Sequence, residues 1–252
     1  MTVVRADLHV HTALSPCGGD EMTPPAIVEA AHAAGLDMIA ICDHNAAGNV
    51  RAVSEAADIA RTTGAPRLTV IAGMEITTAE EVHIVGLFPT ATAAVNAADD
   101  VGGSLPAADD EYTRFFGEQW LLDAEGRIRG GERHALAVAT SLSLEAAVAL
   151  VKQYGGVAVA AHIDRRTFGV VSQLGFFPYD AGFDAVELSR YAAPETAAAA
   201  YAEHRLPVLR SSDAHYLDEV GCVTTELDLE TASFDELALA LAGRAGRSVT
   251  HA

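Results

Sequence analysis

Two histidines one residue apart, His9 and His11, are the first side chains able to do chemistry. They follow Val3-Val4-Arg5-Ala6, which reads as a first β-strand, so alternation sends both imidazoles to one side. Two ring nitrogens there can grip one metal ion. The same residue types recur just past later apolar runs. Residues 37–42 deliver Asp43 and His44, residues 68–73 deliver Glu75, residues 157–161 deliver His162, and residues 207–210 deliver Asp213 and His215. Cys17 and Asp20 lie in a Pro- and Gly-rich loop after His11 that could return either one to the histidine pair. Thiolate and carboxylate are both competent ligands. His83 sits inside an apolar run and reads by itself as a core histidine.

Those runs alternate with helix-like stretches, among them 26–34 behind Thr23-Pro24-Pro25, 50–62 and 144–154. The alternation predicts an α/β fold, a parallel sheet or barrel with about seven strands and functional groups at the C-terminal strand ends. The residues above fall at such ends. Residues 96–140 break the rhythm with acidic, glycine-containing and aromatic sequence, including Tyr112, Phe115, Phe116 and Trp120, and a hairpin pattern over 120–129. This reads as an insertion in one domain spanning 1–252, open between a lid, a dimer contact and packing.

The chain has 252 residues, half of them apolar, with a formal net charge of -19 and a single lysine, Lys152. That balance argues against duplex nucleic acid but leaves room for a small phosphorylated substrate, because bound cations reverse the sign locally. No apolar run approaches a membrane span. The absence of a signal-peptide pattern and three widely spaced cysteines lead to the expectation of a cytoplasmic protein. The composition leaves the oligomeric state open.

The histidine-rich donor set exceeds the four ligands of a tetrahedral zinc. It suits two or three divalent transition ions (zinc, manganese or iron), with Glu75 able to bridge a pair. Arg165 and Arg190 are placed to neutralise a phosphoryl group, and Asp43 to position its neighbours or move a proton.

The motifs Asp7-Leu8-His9-Val10-His11-Thr12, Cys42-Asp43-His44, Glu75, His83, Ala161-His162 and Ser212-Asp213-Ala214-His215 resemble the PHP (polymerase and histidinol phosphatase) superfamily of phosphoesterases. The resemblance implies a distorted (β/α)7 barrel holding a trinuclear centre. It implies His9, His11, Glu75 and Asp213 at one ion, Glu75, His83 and His162 at a second, and His44 with His215 at a third. His83 thereby becomes a ligand. The family varies at the loop ligand, where Cys17 aligns and Asp20 lies close, and it usually has threonine at Cys42. The implied reaction is hydrolysis of a small phosphorylated metabolite or nucleotide by a metal-activated water. Exonuclease action on short oligonucleotides and an amidohydrolase-type reaction are the alternatives. Lys152 lies in a helix, which excludes the amidohydrolase variant bridged by a carboxylated lysine.

Overall fold

The computed structural model describes residues 1–193, 199 and 205–251. Nine strands form one sheet: β1 (Thr2–Val10), β2 (Met38–Ile41), β3 (Thr69–Thr77), β4 (His83–Phe88), β7 (Val157–Ala160), β8 (Ala185–Leu188), β9 (Val208–Arg210), β10 (Thr225–Leu229) and β11 (Ser248–His251). A separate hairpin pairs β5 (Trp120–Leu122) with β6 (Ile128–Gly131). Among the described residues the α-helices are α1 (Pro24–Ala33), α2 (Val50–Thr62), α3 (Ala91–Gly102), α4 (Asp110–Phe116), α5 (Leu144–Gln153), α6 (Val170–Leu174) and α7 (Phe234–Leu241).

The sheet runs β11-β10-β1-β2-β3-β4-β7-β8-β9 and curls until its far edge meets its start. Just beyond β9, the amide of Ala214 donates to the carbonyl of His9 at 3.3 Å and its carbonyl accepts from the amide of His11 at 2.9 Å. Seven strands, β1 to β4 and β7 to β9, thus make a nearly closed barrel, with β10 and β11 added antiparallel outside β1.

Side-chain alternation sorts the apolar residues into two layers. Ile39 and Ile41 join Ile27, Val28 and Val53 under α1 and α2. Met38, Ala40 and Cys42 instead meet Val85, Leu87, Val159, Ala185 and Leu209 from strands around the ring, together with Leu237 and Leu241 of α7. Residues from so many strands can share one cluster only on the concave side, so this is the barrel interior. Gly73 is required there, because a Cβ would lie 2.6 Å from Cys42 Sγ and 2.8 Å from the Ile41 carbonyl oxygen. Cys42 is a buried packing residue, and burial pushes its thiol up.

Two irregularities position the chemistry. The β1–β2 register shifts between Asp7 and Val10. Val4, Ala6 and Leu8 face the barrel interior while Val10 packs outward, so the bulge turns His9 and His11 inward at the rim. The second is β4, which is antiparallel to both β3 and β7. Only residues 78–82 connect β3 to β4, too few for a parallel crossover. Reversal puts the first residue of β4, His83, on the rim where the parallel strands end.

The excursion from the barrel is shorter than 96–140. Residues 96–102 complete α3, whose Ala94, Ala97 and Val101 pack in the outer core. The irregular part begins at residue 103. Asn49 ties it down: its Nδ2 donates to the Trp120 carbonyl and to Thr12 Oγ1, and its Oδ1 accepts from the Leu122 amide, all at 2.9 Å.

Candidate metal centre

Glu75, near the end of β3, is fully buried among five imidazoles. Its Oε1 lies 3.4 Å from His9 Nε2, 2.7 Å from His83 Nδ1 and 3.1 Å from His162 Nε2. Its Oε2 lies 3.0 Å from His44 Nδ1 and 3.5 Å from His11 Nε2. Asp213 Oδ1 completes the circle, 3.7 Å from His9 Nε2 and 3.3 Å from His11 Nε2.

The outer contacts fix which imidazole nitrogens carry protons. Glu187 Oε1 accepts from His9 Nδ1–H at 3.1 Å, so the Nε2 lone pair of His9 points inward. Ser15 Oγ gives its proton to Asp43 Oδ1 at 2.8 Å and therefore accepts from His11 Nδ1–H at 2.9 Å. The Asp213 carbonyl accepts from His215 Nδ1–H at 2.8 Å. The inward nitrogens of His9 and His11 then face each other across 3.2 Å, a pairing that needs a proton or a metal ion between them. His162 Nδ1 is buried with no hydrogen-bond partner, and Glu75 Oε2 has only the ring nitrogens of His44 and His11 beside it.

Donor atoms fall into three overlapping groups among the described residues, each within 4.8 Å: His9, His11, Glu75 and Asp213; His44, Glu75 and His83; His11, His44 and His215. The residues fit a cluster of metal ions, with Glu75 common to two groups. The grouping differs from that implied by the family resemblance: His44 joins Glu75 and His83, and His11 joins His44 and His215. His162 Nε2 borders the second group, 3.3 Å from His83 Nδ1. One carboxylate packed among five rings makes the groups overlap.

The field of these charges is uneven. Burial opposes protonation of His9, but Glu187, Glu75 and Asp213 hold its pKa well above the ordinary value. His44 is likewise raised against burial, by Glu75 and Cys17. Burial and the neighbouring His215 push His11 well down, and burial takes His83 to about 4. Burial works against the charged forms of Glu75 and Asp213, yet the surrounding imidazoles lower both. Burial would raise the Cys17 thiol, but His44 and His215 beside it bring it down to about 6.

Backbone strain gathers here. Asn45, His162, Phe168 and Asp213 all have positive φ, at 51°, 25°, 62° and 50°. For non-glycine residues this conformation costs energy and persists only where the surroundings impose it.

The structure brings together His9, His11, His44, Glu75, His83, His162, Asp213 and His215, with Cys17 at the cavity wall beside His44 and His215. Asp20 is exposed in its loop and belongs to none of the donor groups. Arg165 lines the cavity and donates from Nη1 to Asp213 Oδ2 at 2.7 Å. Arg190 does not line it: its Nη2 donates to Glu219 Oε1 at 2.7 Å and its Nη1 to the Ser212 carbonyl at 3.2 Å. Since Glu219 Oε2 accepts from the His215 amide at 2.8 Å, Arg190 braces the loop that presents His215. Asp43 accepts from the Thr12 amide and hydroxyl at 2.7 and 2.9 Å and from Ser15. Through Ser15 it is linked to His11 Nδ1. Asp43→Ala would strand three buried donors and is expected to destabilise the fold by about 3 kcal/mol or more, with Asp43→Asn recovering part of it in denaturant titrations.

Glu187 is the residue that reading the sequence for ligands passes over. A carboxylate inside the apolar run Ala185-Val186-Glu187-Leu188 is a signal in itself, since a buried charge needs a partner. Its Oε1 holds His9 and also accepts from the His162 amide at 3.3 Å. Glu187→Ala should weaken metal affinity about 10- to 100-fold, read by competition with a chelating dye.

A profile of the PHP-associated family matches residues 193–246. The 5'-3' exoribonuclease of Haemophilus influenzae is 27% identical over 196 residues, covering 63% of this chain and 68% of that protein. Among solved structures, the lesion-specific endonuclease Q of Pyrococcus furiosus superposes with a TM-score of 0.68 at 20% identity, over 98% of this chain. A proposed metal-dependent phosphoesterase from Bifidobacterium adolescentis superposes with a TM-score of 0.58 at 23% identity, over 83% of this chain and 87% of its own. The family match covers residues 193–246, and the chain shares its fold with these solved structures. The chain spans 58% of the length of the endonuclease Q chain.

One expectation fails at this point. A net charge of -19 does not exclude duplex nucleic acid for this fold, because endonuclease Q, similar with a TM-score of 0.70, is seen in complex with a 27-mer duplex carrying an abasic lesion at its active site. Overall charge describes the far field, whereas bound cations and individual arginines set the sign where a phosphate docks. The reading of a small phosphorylated metabolite as partner falls with it. Among the described residues no helix is long and apolar enough to cross a membrane.

Proposed function

We propose that this chain is a PHP-type metal-dependent hydrolase that cleaves phosphoester bonds at the end of a nucleic-acid strand, with two or three zinc, manganese or iron ions. The observation that carries the reading is the convergence of six imidazoles on Glu75 and Asp213, which line a cavity of about 480 Å³ together with His44, His83, His215 and Arg165. That volume suits one nucleotide unit, and the flanking strand, single or duplex, would lie outside it. The exoribonuclease likeness along most of the chain and the nuclease fold similarity support the same substrate class.

His9, His11, Glu75 and Asp213 would hold one ion, His44, Glu75, His83 and His162 a second, and His11, His44 and His215 a third, with Cys17 at hand. Bound ions would lower the pKa of water and neutralise charge gathering on phosphoryl oxygens. The protein's own part is orientation. Arg165, clamped by Asp213 through Nη1, keeps further guanidinium N–H groups free in geometry to grip a phosphate. Glu187, Ser15 and the Asp213 carbonyl accept the outer N–H groups of His9, His11 and His215, so that the inward nitrogens are the ones aimed at an ion.

The test is incubation of the manganese-loaded protein with end-labelled short RNA and DNA, single-stranded, duplex and abasic, with product sizing. Stepwise release of mononucleotides that stops on chelation is the expected result. Turnover of an aryl phosphate without cleavage of any strand would overturn the substrate class.

A further inference from the structure

The wall of the cavity facing the metal ligands is built by a segment that holding ions does not require. Phe115 and Phe116 end α4, and both line the cavity although 81% and 38% exposed. Their rings meet edge to face, with centroids 4.8 Å apart at 73°, and Phe116 leans on the Tyr112 ring at 4.8 Å. No residue of α4 is buried, yet the helix is mounted firmly. The Tyr112 hydroxyl donates to Gln119 Oε1 and accepts from the Ala137 amide, each at 2.8 Å. Gln119 is itself buried and donates from Nε2 to the His134 carbonyl at 2.7 Å. Two large apolar rings are therefore held out in water at the mouth of the cavity that the metal-ligating side chains line, where a flat partner would cover them. Phe168 lines the same cavity in the strained positive-φ conformation and stacks on His83, with centroids 4.3 Å apart at 13°.

We propose that Phe115 and Phe116, with Phe168 in the same cavity, are specificity residues that clasp the nucleobase attached to the reacting phosphate. This rests on the proposed phosphoester chemistry and adds to it what is recognised. Every base has a π-face, so stacking tolerates any sequence while rejecting a phosphate that carries no base. Hydrogen bonds to particular base edges would select one base; the rings of the clasp offer none.

The experiment pairs two readouts on the manganese-loaded full chain. A short RNA with 2-aminopurine at its terminal position is mixed by stopped flow, so that quenching by stacking is seen before turnover. Separately, kcat/KM is compared for base-bearing and abasic ends. Wild type should quench, and the Phe115→Ala/Phe116→Ala variant should lose the quenching. In that variant the ratio of base-bearing to abasic kcat/KM should fall by about tenfold, and Phe115→Tyr/Phe116→Tyr should restore both. Absent quenching in wild type, quenching equal in the alanine variant, or equal losses on both ends would overturn the clasp. Quenching that depends on the two rings without hydrolysis of any phosphoester would sustain the clasp and sink the phosphoester reading.

Discussion

Glu75→Ala is expected to cost at least about a thousandfold in turnover and to lower metal content by more than one ion per chain. The argument is the geometry of one side chain. Glu75 lies within 3.5 Å of ring nitrogens on His9, His11, His44, His83 and His162 and contributes to two of the three donor groups. With the carboxylate gone, five imidazoles face one another with one fewer negative charge among them. Glu75→Gln keeps the shape and one acceptor oxygen but not the charge, so it should retain some metal and little activity. Elemental analysis beside hydrolysis rates checks this. Full activity at equal metal content in the alanine variant would mean that Glu75 is not the hub of the centre.

Chelation is expected to lower the melting temperature by about 10 °C, and restoring manganese or zinc at roughly a thousand times its Kd should return it. Saturation of that order stabilises by about 4 kcal/mol, which corresponds to some 2–4 °C per kcal/mol in a domain of this size. The effect carries a pH dependence whose sign is fixed by the ring environments. His9 and His44 are raised well above the usual histidine value by their carboxylate neighbours, so in the chelated protein they hold protons at neutral pH. An ion must displace those protons, and its stabilisation therefore grows as pH rises through the raised pKa values and fades below them. His11 and His83 are lowered, the latter to about 4, and release nothing near neutrality. Differential scanning calorimetry at pH 6, 7 and 8, with and without metal, should give a larger metal-induced shift at pH 8. A shift that shrinks as pH rises would refute the assignment of His9 and His44 as the proton-holding ligands.

The sequence by itself determined the α/β alternation and the rim. Apolar runs of four to six residues, each ending in His, Asp or Glu, carry their own geometry, because strand periodicity says which face a side chain takes and where the strand stops. His9, His11, His44, Glu75, His162, Asp213 and His215 are legible on that basis, and residue types alone indicate a metal centre. His83 is legible only through family resemblance, because its apolar neighbours suggest a core position. Tertiary structure decided what depends on pairing across long separations. The short connection of residues 78–82 forces β4 antiparallel and so carries His83 to the rim. Closure of β9 against β1, some 200 residues apart, brings Asp213 to His9 and His11. It also turns Arg190 onto Glu219, leaves Asp20 in solvent, seats Glu187 behind His9, and swings Phe115 and Phe116 over the cavity. None of these has a local signature strong enough to name its partner, since a side chain's partner is set by how distant strands close, and periodicity records only its own strand.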